Sequence, residues 1–284
     1  MSAGPLQLFA FDPDGLPPVA RERLAAHLSP EERGRYAALR DPAARARAEA
    51  TRGALRELLG RELGRSPGAL VLGAGPQGKP RLEPGLGLAF NAAHTAGLAV
   101  LALLRGGEVG VDAERLPPGL DPEELSPALA PAEVLALLAL DPPRRARAAL
   151  QRFVRKEALL KALGTGLGGA LDPATLPLPE PAPGWTACEV PGHGRVWLHD
   201  LDLGPAHVGA VALSGPDAGP RLVRIDASTR EAAEGEPDCT PASDSDGGAS
   251  WSEPACEAGR HPRPQPHSGG AGTGSSMGSR HGSP

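Results

Sequence analysis

The chain opens with a short alternating apolar run over residues 6–11, closed by the turn-forming Asp12-Pro13-Asp14-Gly15, and this predicts a first strand. Helical spacing follows. A helix is predicted near residues 21–28. Ser29-Pro30-Glu31-Glu32 then places an N-cap serine, a first-turn proline and a capping-box glutamate at the start of a second helix, which ends before Asp41-Pro42. From Pro42 to about Leu63 leucine, alanine and arginine recur at helical spacing. Leu55, Leu58 and Leu59 form the inward stripe, and Arg45, Arg47, Arg52 and Arg56 a mostly solvated charged face. Residues 70–72 predict a short strand and residues 73–80 a Gly/Pro loop.

The middle of the chain is its most apolar part. Residues 85–104 carry no formally charged side chain and are long enough to cross a bilayer, but Asn91, His94, Thr95 and the glycines argue for two buried strands around a turn at residues 95–97. Residues 98–104 and 109–114 predict a hairpin around Arg105-Gly106-Gly107. Past the break at residues 116–119, helices are predicted over residues 131–138 and from the Asp141-Pro142 cap to about residue 163. Residues 185–190, 195–201 and 208–213 predict a strand meander, with residues 222–225 as a last strand. Beyond residue 225 there is no Leu, Ile, Val, Phe or Tyr, so residues 226–284 are expected to stay disordered. Mixed helices and strands of this kind predict an α+β fold.

Composition narrows the function classes. The 284 residues suffice for one large or two small domains, and with aromatics at 3% the core must be built from Leu, Ala and Val. A net charge of -5 gives no global attraction to nucleic acid or to an anionic membrane. Cys188, Cys239 and Cys256 form no C-x-x-C pair, which speaks against a disulfide framework or zinc site, and the N-terminus lacks the pattern of a signal peptide. A cytoplasmic monomer is expected. Among 29 basic residues only Lys79, Lys156 and Lys161 are lysine, and Asn91 is the sole asparagine.

The chemistry concentrates in two segments. In Gly110-Val111-Asp112-Ala113-Glu114 the strand period puts Asp112 and Glu114 on one face, where two carboxylates repel unless a cation sits between them; magnesium suits such oxygens, and a solvated strand end is the plainer reading. In the second, residues 153–166 predict a helix ending at glycine, with Glu157 one turn from Lys161, which by itself reads equally well as a surface ion pair. Taken singly, Arg47 and Lys79 are most simply solvated, and His94 is a core histidine.

Together these segments resemble the 4'-phosphopantetheinyl transferases that activate peptide and polyketide synthases. The resemblance lies in Phe90-Asn91-Ala92-Ala93-His94-Thr95, Gly110 to Glu114, and the block from Phe153 to Gly166, supported by Gly78-Lys79-Pro80 and the Arg47, Arg52, Arg56 helix; it spans residues from about 6 to 225. Ala93 and Thr95 stand where the family has serines and Phe153 where it has tryptophan. The missing Ala93 hydroxyl is expected to weaken coenzyme binding. The resemblance implies two similar α+β subdomains in pseudo-twofold arrangement, residues 1–104 with the coenzyme A phosphate contacts and residues 105–225 with the metal site. It implies Mg2+ held by Asp112, Glu114 and Glu157, and coenzyme A met by Arg47, Lys79, His94, Lys156 and Lys161. Glu157 and Lys161 are then the catalytic groups, and an apo acyl or peptidyl carrier protein is the acceptor, docking around the Lys156 helix and the loop after Leu116. A coenzyme A or nucleotide binder of the same fold without turnover, and another magnesium-dependent phosphoryl enzyme, are the alternatives.

Overall fold

The computed structural model describes residues 6–75, 78–165, 171–215, 219 and 223–226; the tail expectation for residues 226–284 and the glycine loop at 166–169 lie almost wholly outside them. Strand β1 (Leu6–Phe11) leads into helices α1 (Pro18–Ala26), α2 (Pro30–Ala37) and α3 (Pro42–Leu63). A two-stranded ribbon of β2 (Leu72–Ala74) and β3 (Pro80–Leu82) precedes β4 (Leu88–Thr95), β5 (Leu98–Arg105) and β6 (Glu108–Arg115). Helices α4 (Pro131–Leu138) and α5 (Pro142–Leu163) are followed by the meander β7 (Trp185–Val190), β8 (Gly194–Leu201) and β9 (His207–Ser214), and then by β10 (Val223–Asp226). None of these helices is long and apolar enough to cross a membrane, and the uncharged run at 85–104 forms the β4–β5 hairpin.

Two four-stranded sheets carry the fold, ordered β10-β1-β5-β4 and β6-β9-β8-β7. They stack face to face with α3 and α1 covering the first and α5 covering the second, giving an α-β-β-α sandwich. The pattern of β5 shows why it is apolar from Leu98 to Leu104. Ala99, Leu101 and Leu103 pack under α3 with Phe90, Leu55 and Leu59, while Leu98, Val100, Ala102 and Leu104 join Val109, Val111, Val211 and Leu213 between the sheets. Each strand face thus has its own cover, and only Arg105 at the strand's end is polar and exposed.

The two halves share a broad order of elements: strand, helices, then antiparallel strands whose last returns beside the first, as β5 does to β1 after the β4–β5 hairpin and β9 to β6 after the β7–β8–β9 meander. Sequence and structure part company at β5 and β6. These segments follow one another around residues 106–107 but are not a hairpin: β5 pairs with β1 and β4, whereas β6 pairs with β9 and opens the second sheet. Alternating apolar patterns fix which face is buried, not which strand is the neighbour. The chain crosses between sheets at this point.

The α2 cap forms as its sequence demands, with Ser29 Oγ accepting from Glu32 N at 3.2 Å and Glu32 Oε2 accepting from Ser29 N at 3.0 Å. The same Glu32 carboxylate accepts from Arg56 Nε at 2.7 Å. Arg56 is therefore no solvated arginine: its guanidinium is buried and also donates to the carbonyls of Pro67 and Leu70, pinning the 67–70 turn to α3. That turn displaces the short strand two residues later than its apolar residues indicate, to Leu72–Ala74.

Strand β6 presses Gly110 against α5, where a Cβ would overlap the Ala158 carbonyl oxygen and the Ala162 amide nitrogen. Helix and strand backbones cannot meet so closely with any larger residue. Gly110→Ala is accordingly expected to lower unfolding free energy by about 3 kcal/mol through overpacking, read as an earlier midpoint in urea unfolding followed by circular dichroism.

Candidate active site

The edge strands of the two sheets, β4 and β6, lie side by side, and among the described residues the outer edge of β6 pairs with no strand. Buried backbone groups need partners, and here side chains supply them. Asn91 Oδ1 accepts from Val111 N at 2.9 Å, Thr95 Oγ1 accepts from Arg115 N at 3.3 Å, Lys79 Nζ donates to Val109 O at 3.0 Å, and Lys161 Nζ donates to Val111 O at 3.3 Å. Positions 109, 111 and 115 share the parity that points their backbone groups outward. Two of the three lysines and the only asparagine thus seal one edge.

The opposite parity carries the acids. Asp112 and Glu114 face α5, which brings Glu157 and Lys161 to them on consecutive turns. Lys161 Nζ does not pair with Glu157; it sits 2.6 Å from Asp112 Oδ1. Asp112 Oδ2 and Glu157 Oε1 are buried with no hydrogen-bond partner among the described residues. The Glu157 carboxyl is pushed above the usual range by lost hydration, then by the Asp112 charge, with Glu114 adding to this and Lys161 opposing it. Lost hydration and Asp112 likewise raise Glu114, against the Thr95 hydroxyl and Lys161. Three coupled carboxylates therefore share one ammonium.

Basic side chains stand on the other side. His94 projects from the α3 face of β4, and its pKa is lowered first by lost hydration and then by Arg47 and Lys161. Arg47, on α3, forks onto Asp14, with Nε 3.1 Å from Oδ1 and Nη2 3.0 Å from Oδ2. Lys79 lies at the start of β6, about 10 Å along the strand from Asp112, in an ion pair with Glu108 Oε2 at 2.8 Å, and lines a cavity of about 340 Å³ with Arg81, Leu88 and Phe90.

A family model described as the 4'-phosphopantetheinyl transferase superfamily matches residues 108–200, the span from β6 into β8. A Synechocystis sp. protein provisionally named as a 4'-phosphopantetheinyl transferase, slr0495, is 38% identical over 150 residues, which are 52% of this chain and 61% of that protein, less than two thirds of its length. The 4'-phosphopantetheinyl transferase HetI of Nostoc sp. is 33% identical over 177 residues, covering 59% of this chain and 75% of HetI. The chain belongs to the 4'-phosphopantetheinyl transferase family.

In this member of the family, residues 112, 114, 157 and 161 lie together, with His94 near Lys161 and Arg47 near His94, whereas Lys156 is not brought to the group. Its ammonium is buried in an ion pair with Glu133 at 2.6 Å and donates to Pro173 O and Leu176 O at 2.5 and 2.9 Å. Glu133 in turn accepts from Ala130 N and Leu178 N. Lys156 is one residue from Glu157, but the helix turns it inward, where it ties α5 to α4 and to the segment at 173–178. Ala93, whose missing hydroxyl is expected to weaken coenzyme binding, has its side chain packed in the apolar layer between the sheets with Leu98 and Val100. Sequence reasoning missed Glu133 and Asp14 altogether, and Asn91 and Thr95 as edge partners; the rarity of asparagine was the one available signal.

The chemistry of the donors fits a hard divalent ion, through the two orphaned buried oxygens and the all-carboxylate set. Among the described residues, however, no three such side chains are gathered closely enough to form a cage by themselves. Magnesium commonly takes only one or two carboxylates and fills its shell with water and substrate phosphate, which this arrangement suits.

Two outcomes are expected. Lys156→Met strands the Glu133 charge and should cost about 3–5 kcal/mol of stability in denaturant unfolding. Because the folded Glu157 pKa is raised, its ionisation weakens the folded state as pH rises through that pKa. Glu157→Gln should then raise the melting temperature at neutral pH in metal-free buffer while removing activity.

Proposed function

We propose that this chain transfers the 4'-phosphopantetheine arm of coenzyme A to a serine of an apo acyl or peptidyl carrier protein. The observation that carries the reading is the convergence of Asp112, Glu114 and Glu157 around a single ammonium, beside Arg47 and His94. Such a site is short of positive charge on its acidic side, where three carboxylates meet one ammonium. A divalent ion accompanying a pyrophosphate supplies it. The shared order of strand, helices and a last strand returning beside the first supports two related subdomains, residues 1–104 and 105–225, with the site at their seam.

In the reaction the carrier serine Oγ forms a bond to the phosphorus bearing the pantetheine, and the bond to adenosine 3',5'-bisphosphate breaks. Asp112, Glu114 and Glu157 would hold Mg2+, which when bound supplies Lewis-acid neutralisation of the pyrophosphate and of the departing oxygen. Glu157, with one carboxylate oxygen toward the ion, would receive the serine proton on the other, directly or through a water. Lys161 would leave Asp112 for the pyrophosphate as charge moves to the leaving group. Arg47, His94 and Lys79 would bind the remaining phosphate charge, with Lys156 assigned to support rather than contact. A coenzyme A binder without turnover is the second reading, favoured by Lys161 lying on Asp112 rather than leaving it open.

Incubation with coenzyme A, magnesium and a panel of apo carriers, followed by intact-mass spectrometry of the carriers, separates the two. Transfer predicts the added arm on a serine and release of adenosine 3',5'-bisphosphate; the binder predicts neither despite tight coenzyme A binding. Glu157→Gln should cut kcat by about 100-fold or more with magnesium saturating, and full turnover of that variant would remove both roles given to Glu157.

A further inference from the structure

The residue that ties the cationic side of the site together is Asp14. It lies in the turn after β1, where Asp12 Oδ1 accepts from Asp14 N at 2.9 Å and from Gly15 N at 3.2 Å, and Arg21 Nη2 donates to Asp14 O at 2.6 Å. With its backbone fixed, the carboxylate reaches two other elements. One is Arg47 on α3, gripped by the fork described above. The other is the β4–β5 turn, where Gly97 N donates to Asp14 Oδ2 at 2.7 Å. That turn begins two residues after His94, and its carbonyl at Ala96 is held from the far side by His207 Nε2 at 2.9 Å.

The fork consumes Nε and Nη2 of Arg47 and leaves Nη1 without a hydrogen bond among the described residues. A guanidinium held on one edge keeps its other edge in a fixed direction, and its rotamer freedom is already lost before any ligand arrives. Gly97 N is tied by the same oxygen that meets Nη2, so the position of Arg47 and the position of the turn behind His94 are set by one group.

We propose that Asp14 is a positioning residue for coenzyme A, presetting Arg47 by one guanidinium edge and the His94 turn by the Gly97 amide so that both meet the coenzyme's phosphates without rearrangement. This rests on the reading that the site binds coenzyme A. Asp14 itself touches no substrate; it acts through Arg47 and through the turn.

The test uses the full chain, with coenzyme A titrated calorimetrically and KM and kcat taken from the carrier assay. Asp14→Asn keeps an acceptor for Gly97 N but lacks the charge for the fork, and it should weaken coenzyme A binding and raise KM about tenfold. In that variant kcat stays within a factor of about three, because the acidic triad is untouched. Asp14→Glu should recover part of the loss. In an Arg47→Ala background the Asp14→Asn change should add less than about twofold, since the residue it acts through is gone. An unchanged or tighter coenzyme A affinity in Asp14→Asn would overturn the proposal, the latter by showing that the carboxylate competes with phosphate. Fully additive losses with Arg47→Ala would overturn it as well. A wild-type chain that binds no coenzyme A overturns the parent reading and this one with it, whereas normal wild-type binding with an unmoved Asp14→Asn overturns this one alone.

Discussion

An unpaired strand edge inside a protein is a constraint before it is a site. Strand β6 has β9 on one side only, and its outward amides and carbonyls at 109, 111 and 115 are closed by Lys79, Asn91, Thr95 and Lys161. Closing the edge with side chains rather than another strand leaves a strip where polar groups are gathered between two apolar sheets. The acids on β6 stand on the adjacent parity, so the strip and the carboxylates come from one eight-residue strand. The same Lys161 serves both, bonding Val111 O and Asp112 Oδ1, and this double use sets the balance of charge at the site.

Around that strip, buried ions do the holding. Arg56 with Glu32 fixes α2 and the 67–70 turn to α3, and Lys156 with Glu133 fixes α4 and the 173–178 segment to α5. Each pair is surrounded by carbonyls and amides that complete its hydrogen bonds, which is the condition for burying charge at tolerable cost. The two long helices are thereby locked at residues neighbouring those that face the site. On α5 adjacent residues consequently do different work, with Lys156 looking into the protein and Glu157 toward the acids on β6.

Much of the architecture was legible in the chain. Capping residues and apolar spacing gave α2, α3 and α5 their starts at Ser29, Asp41 and Asp141, although Asp141 makes no side-chain cap bond. The strand period placed Asp112 and Glu114 on one face. What could not be read was partnership across long sequence separations: β6 with β9 instead of β5, Arg56 with Glu32, Lys156 with Glu133 and Arg47 with Asp14. Periodicity reports how a residue is oriented within its own element, and a charged residue on a helix reads as solvated until another element is known to cover it. The setting of Ala93 was hidden for the same reason, because its face of β4 is covered by a sheet formed from the other half of the chain.

Strand β10 lies parallel to β1, pairing Leu6 with Val223 and Phe9 with Asp226. More than two hundred residues separate these neighbours, so the contact closes nearly the whole described chain into a loop, among the most expensive contacts in chain entropy that the fold contains. A sheet joined across such a separation cannot be whole until both of its distant segments have been made, so β1 holds that flank bare for the whole of the chain between them.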